Sequence, residues 1–193
     1  DGNLRTISML RDGYFGEKPV NHSYRDLVNF LNGLNADWVK ATKRVSPTLL
    51  IELLETTGKE FNAILTGLDP FSQSVFSVAW AGEERSENWF HIAREYTEKW
   101  HHQQQIREAV SQPGIMERSL YFPVLDTFMR ALPHTYRNVT GYETGTGISI
   151  NIEGDAGGRW KFSYTGDKWQ LDPSLQQTKT DLFIDQQHAW KLF

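Results

Sequence analysis

The sequence predicts a two-domain α+β chain, and a change of hydrophobic period is what predicts it. Through the first two thirds, apolar residues recur at helical spacing. After Pro133 they alternate with polar residues, the mark of half-buried strands. The switch falls around residues 112–138 and divides the chain into a helical part, 1–112, and an α+β part, 113–193. With 193 residues there is enough chain for one large core or two small ones.

Leu4, Ile7 and Leu10 predict a first helix over 3–12, broken by Gly13 and Gly16. Ser23 is placed to cap a second helix with the stripe Leu27, Phe30, Leu31, Leu34, Trp38 and Ala41. Ser46-Pro47 supplies a cap and a first-turn proline for a third. That helix carries Leu50, Leu53, Leu54, Phe61, Ile64 and Leu65, and ends near Gly67. Residues 69–84 read as a connection holding a short strand at 75–80. Ser86 is expected to cap a fourth helix that runs to about Ser111, before Pro113-Gly114. A fifth covers 117–132 through Leu120, Val124, Leu125, Phe128 and Leu132. Then Ile148, Ile150 and Ile152 alternate, as do Trp160, Phe162 and Tyr164. Gly166-Asp167 turns the chain into Trp169 and Leu171. Residues 181–184 predict a fourth strand, and Asp185 a cap for a helix opening at Gln186. Packing between sheet and helix accounts for the aromatic rows, including Trp160, Phe162, Tyr164 and Trp169.

Lys and Arg number 20 and Asp and Glu 24, a formal charge of -4. That balance offers no global attraction to nucleic acid or to an anionic membrane. There is no cysteine, so no disulfide, thiolate zinc site or protein-borne thiol nucleophile can form. No apolar run approaches the roughly 20 residues of a membrane helix, and the start has no signal-peptide pattern. The expectation is a cytoplasmic protein, monomer or homodimer, that acts on a small molecule.

The chemistry concentrates on the fourth helix. His91, Glu95, Glu98 and His102 are spaced four, three and four apart and share one stripe, while His101 points about 100° from His102. Glu98 and His102 therefore stack one turn apart, as two donors for one divalent ion. Ile106 lies on the same face, which predicts that this face turns partly inward. A solvated face with favourable Glu–His contacts is the alternative. Without Cys, a His/carboxylate set suits Zn, Ni, Fe or Mn. Of the other histidines, His22 falls in a loop, and His134 and His188 take surface or packing places.

The string Glu98-Lys-Trp-His101-His102-Gln-Gln-Gln105-Ile106 resembles the last ligand helix of the DinB-like superfamily. Glu as the earlier ligand resembles its mycothiol-dependent maleylpyruvate isomerase branch. Phe122-Pro-Val-Leu-Asp-Thr-Phe, Gly145-Thr-Gly147, Gly157-Gly-Arg-Trp160, Trp169 and Ala189-Trp-Lys-Leu-Phe193 resemble that branch's sterol-carrier-like C-terminal domain. The resemblance implies an up-down bundle of four main helices over 1–112 with a three-ligand metal, most often Zn. Glu98 and His102 would be two ligands, with a His upstream of Asp1 as the third. Both ends of the sequence are accordingly expected to be cut, the first helix being incomplete. His101, Gln105 and Arg107 would orient the ligands, and Arg159 or Arg137 would bind a substrate carboxylate. The implied activity is thiol S-transfer or cis-trans isomerisation with a low-molecular-weight thiol such as mycothiol or bacillithiol. A non-catalytic metal- or small-ligand-binding module, or a metal-dependent hydrolase, stands as the alternative.

Overall fold

The computed structural model describes residues 1–17 and 23–192, so His22 lies outside the described residues. The chain is α+β, with a four-stranded mixed sheet. It divides into two compact units, Asp1–Asp69 and Pro70–Phe193. No helix among the described residues is long and apolar enough to cross a membrane.

The first unit holds α1 (Gly2–Leu10), α2 (Tyr24–Thr42) and α3 (Pro47–Thr66). Its caps are those the sequence predicts. The Ser23 hydroxyl accepts from the Asp26 amide at 3.2 Å, and the Ser46 hydroxyl accepts from Leu49 at 3.3 Å. Helix α1 packs on α3, and Ile7, Phe61 and Leu65 are this unit's buried apolar side chains. Arg11 reaches Glu60 at 3.1 Å along the same pair. Helix α2 has an apolar stripe but buries no residue fully.

The second unit opens differently from expectation. Residues 75–80 form no strand; a 3-10 turn at Ala79–Ala81 and one bridge, Gln73 to Glu87, take its place. The cause is Ser86. Its hydroxyl accepts from the Val78 amide at 2.8 Å and so folds the loop back on itself. Ser86 is thereby spent on the loop and does not cap the next helix. Helix α4 (Asn88–Ala109) starts from Glu87, which makes no side-chain cap bond.

Helix α5 (Arg118–Thr135) runs through Pro133, past its expected end, and also contains Pro123. An interior proline costs about 3 kcal/mol. Burying Tyr121, Val124, Leu125, Met129 and Ala131 along one face outweighs that, at roughly 1.5–3 kcal/mol for each large side chain.

The sheet comprises β1 (Gly147–Glu153), β2 (Gly158–Tyr164), β3 (Trp169–Leu171) and β4 (Thr180–Asp185), ordered β3-β2-β1-β4. Strands β1 and β2 pair antiparallel with Ile150 opposite Trp160, and β4 lies parallel to β1 with Leu182 beside Ile150. One face therefore collects Ile150, Ile152, Trp160, Phe162, Tyr164 and Trp169, and α5 covers it. The Trp160 indole donates to Asp126 of α5 at 2.9 Å. As predicted, the Asp185 carboxylate caps α6 (Gln186–Ala189), accepting from the Gln187 amide at 2.7 Å.

This core does not stop at residue 113. Trp100 of α4 stacks on Tyr121 of α5 at 4.5 Å and 4°, and Trp190 meets Trp100 edge-on. The compact units consequently part at 69/70, with α4 grouped with the sheet, whereas the change of hydrophobic period falls near 112. Period reports which kind of element a segment forms, not which element it packs on.

Gly157 sits where a Cβ would lie 1.9 Å from the Ile152 carbonyl oxygen, a backbone atom with no room to give. Gly145 has open space around it but a φ of +86°. Gly157→Ala is expected to lose more than about 3 kcal/mol in urea unfolding, against about 1 kcal/mol for Gly145→Ala. Equal losses at the two positions would contradict this packing.

Candidate metal centre

Helix α4 is oriented by what it buries. Phe90, Thr97, Trp100 and Gln104 form its inward line. Residues two before and two after Trp100 are each turned about 160° away from it. Glu98 and His102 therefore face outward, their side chains 59% and 69% exposed. Ile106 is 64% exposed. The expectation that this face turns inward is thus corrected: one isoleucine cannot draw in a face whose opposite side carries Trp100.

The stripe changes character along its length. At its start His91 is 1% exposed, with the Phe76 ring of the 70–87 loop at 5.3 Å. Arg94 donates to His91 Nδ1 at 2.9 Å and pairs with Glu95 at 2.6 Å, so Glu95 is committed to that guanidinium.

One turn on, the stripe opens. His102 Nε2 stands 3.5 Å from Glu98 Oε2. His102 Nδ1 stands 3.0 Å from Gln105 Oε1, a contact that holds the imidazole from its far side with Nε2 towards Glu98. A good hydrogen bond closes to about 2.7–3.2 Å. Two ligands bound at 2.0–2.1 Å on a tetrahedral ion stand roughly 3.4 Å apart. The separation therefore suits two corners of a coordination sphere better than a direct bond. In donor type and spacing the pair fits a divalent ion. Among the described residues no group of three or more such side chains stands close enough to hold one, so the pair supplies two donors.

Glu98 and His102 line a concavity of about 260 Å³ with Thr97, His101, Gln105 and, from α5, Phe128. Gln105 contacts His102 Nδ1 at 3.0 Å. His101 makes no hydrogen bond to either donor; its ring lies edge-on to Trp190 at 5.4 Å. Partial burial, then the neighbouring His102, hold the His101 imidazole below its usual range, with Glu98 opposing. Arg107 turns to the loop after α4, donating to the Pro113 carbonyl at 3.0 Å, and does not line the concavity. Arg159 belongs to the sheet's other face, where it pairs with Asp181 at 3.0 Å. Arg137 caps the end of α5 through the His134 carbonyl at 2.7 Å. Neither arginine meets the pair. His134 packs on Gly82, and His188 is exposed beside Asp185 at 3.8 Å.

Phe128, placed by the sequence in the apolar stripe of the fifth helix, also lines the concavity, and Trp190, placed only in the last helical turn and its string, lies against His101. Phe128 is signalled only as an aromatic at helical spacing, which core and site share, and no local pattern signals the contact of Trp190. Compared with protein-family models, curated proteins and solved structures, the chain matches none.

His91 has a consequence for stability. Burial first, then Arg94, lower its pKa from 6.5 to about 4, with Glu95 opposing. Between these values the unfolded chain binds the proton that the folded chain refuses, so stability falls as pH drops from 6.5 towards 4. The expected loss is roughly 2–3 kcal/mol in chemical unfolding across that window, and His91→Gln removes most of it. An unchanged slope in that variant would show that other groups carry the pH dependence.

Proposed function

We propose that this chain is a divalent-metal-dependent enzyme that works with a low-molecular-weight thiol, in thiol S-transfer or maleylpyruvate isomerase-like cis-trans isomerisation. The supporting observation is the pair itself, Glu98 Oε2 and His102 Nε2 at 3.5 Å with Gln105 fixing the imidazole, set at the edge of a concavity. The resemblance of the Glu98–Ile106 string to a DinB-like ligand helix, and of the later segments to a sterol-carrier-like domain, supports the same reading. It also supports a three-ligand ion, with Zn ahead of Ni, Fe or Mn.

When bound, a divalent ion with open positions lowers the pKa of a thiol or a water and supplies Lewis acidity. The chain's own residues do the rest. Glu98 and His102 hold two positions one helical turn apart. Gln105 Oε1, 3.0 Å from His102 Nδ1, holds the imidazole from its far side so that Nε2 faces the Glu98 carboxylate. Phe128 gives the concavity an apolar wall. The sulfur comes from the external thiol, mycothiol or bacillithiol, in keeping with a chain that has no cysteine.

The test is metal analysis of the protein purified without chelator. About one equivalent of divalent metal is expected, lost in His102→Ala and in Glu98→Gln. Gln105→Ala should weaken binding by roughly 10–100-fold, the usual effect of removing an orienting partner. Protein that carries no stoichiometric metal would refute the enzyme reading and leave a small-ligand-binding module. Turnover that persists without any thiol would favour metal-dependent hydrolysis.

A further inference from the structure

We infer that His101 is the ligand-facing hydrogen-bonding group of the concavity, and that Trp190 is the residue that positions it. This deepens the metal-enzyme reading and rests on it for the neighbouring pair, though not for the ring geometry.

Two hydrogen bonds are already made among the polar groups of the wall. The Thr97 hydroxyl donates to the Arg94 carbonyl at 2.7 Å. Gln105 Oε1 is taken by His102 Nδ1, and His102 Nε2 faces Glu98. Among the described residues the His101 ring nitrogens have no hydrogen-bond partner, and the ring lines the same concavity. An orienting role towards Glu98 or His102 needs a hydrogen bond to one of them. The two imidazoles instead meet edge to face with centroids 6.4 Å apart.

The ring is nevertheless held. Trp190 lies against it at 78°, and Trp190 is 5% exposed. Behind, Trp190 meets Trp100 at 6.4 Å and 75°, and Trp100 stacks on Tyr121. The Tyr121 hydroxyl donates to the Gln186 carbonyl at 3.0 Å, and Lys191 bonds Glu108 of α4. Both ends of the C-terminal turn are thus tied down. A rigid ring with unspent hydrogen bonds loses little entropy when a ligand arrives.

The ligand chemistry follows from the wall. A neutral imidazole offers one donor and one acceptor, and Phe128 offers a flat apolar surface. The complement is a small planar molecule carrying an amide or similar donor–acceptor pair. At about 260 Å³ the concavity lies below the usual range for drug-sized ligands, so the molecule is small.

Benzamide is a suitable probe, titrated into the full chain while the ring signals of His101 are followed by proton–carbon NMR. A saturable shift at His101 is expected. His101→Phe should weaken binding roughly five- to tenfold, the usual effect of one lost hydrogen bond. Trp190→Leu should do the same, and Trp190→Phe, which keeps an aromatic edge, should stay near wild type. Zinc affinity, measured separately by competition titration, should move less than about twofold in these variants. If circular dichroism shows Trp190→Leu unfolded, Lys191→Ala frees the turn without opening the core and takes its place. No shift in wild type, unchanged binding in His101→Phe, or a fall in zinc affinity like that of His102→Ala would overturn the assignment. Benzamide results as expected in a protein that binds no zinc would instead fail the metal reading and leave His101 in its role.

Discussion

The face-to-face stack of Trp100 on Tyr121 is the contact on which the second unit depends. It joins α4 to α5 and, through Trp190 and the Tyr121 hydroxyl, joins both to the C-terminal turn. Helix α4 has few other apolar anchors. Phe90 is one, held by Trp80, which also touches Phe128 of α5. A helix this polar has little hydrophobic stripe to set its rotation, so one large ring does so. With Trp100 inward, Glu98 and His102 have no other direction than outward. The exposure of the pair is therefore a packing result before it is a chemical one.

Much of the fold was legible because short-range physics decides it. Ser23 and Ser46 cap their helices, Asp185 caps the last, and the alternation of Ile148, Ile150 and Ile152 with Ser149 and Asn151 gives the strand and its buried face. What misled were residues with two local uses. Ser86 reads as a cap, but its hydroxyl is worth more to the loop, where the Val78 amide is buried and needs an acceptor. Pro133 reads as a terminator, yet the sheet beneath α5 rewards continuation. Neither choice can be made without knowing what lies across the gap.

The site was legible in part for the same reason. The spacing of Glu98 and His102 fixes their approach, and Gln105, three residues on, falls within reach of the imidazole; all of this is helical geometry. Arg107, Arg137 and Arg159 were assigned by motif alone, and each is engaged elsewhere by a partner the motif does not contain: Pro113, His134 and Asp181. An arginine's reach is long, and its destination is set by tertiary neighbours. Trp190 was missed because its contact with His101 spans 89 positions of sequence, from 101 to 190, and no local pattern encodes it.

An exposed carboxylate–imidazole pair contributes about 0–1 kcal/mol to folding at best. Two features of this pair are unneeded for that small gain. The imidazole is fixed on its far side by Gln105, and the two facing atoms stop at 3.5 Å, short of a good hydrogen bond. Fixing a surface side chain costs rotamer entropy, on the order of 0.5–1.5 kcal/mol for a flexible one. The stability gained is no larger than that cost, so the arrangement is poorly explained as a device for holding the helix. On the function proposed above, it is two donors prepared for a third body. The carboxylate oxygen and the ring nitrogen are already placed, 3.5 Å apart, with the imidazole held from behind by Gln105.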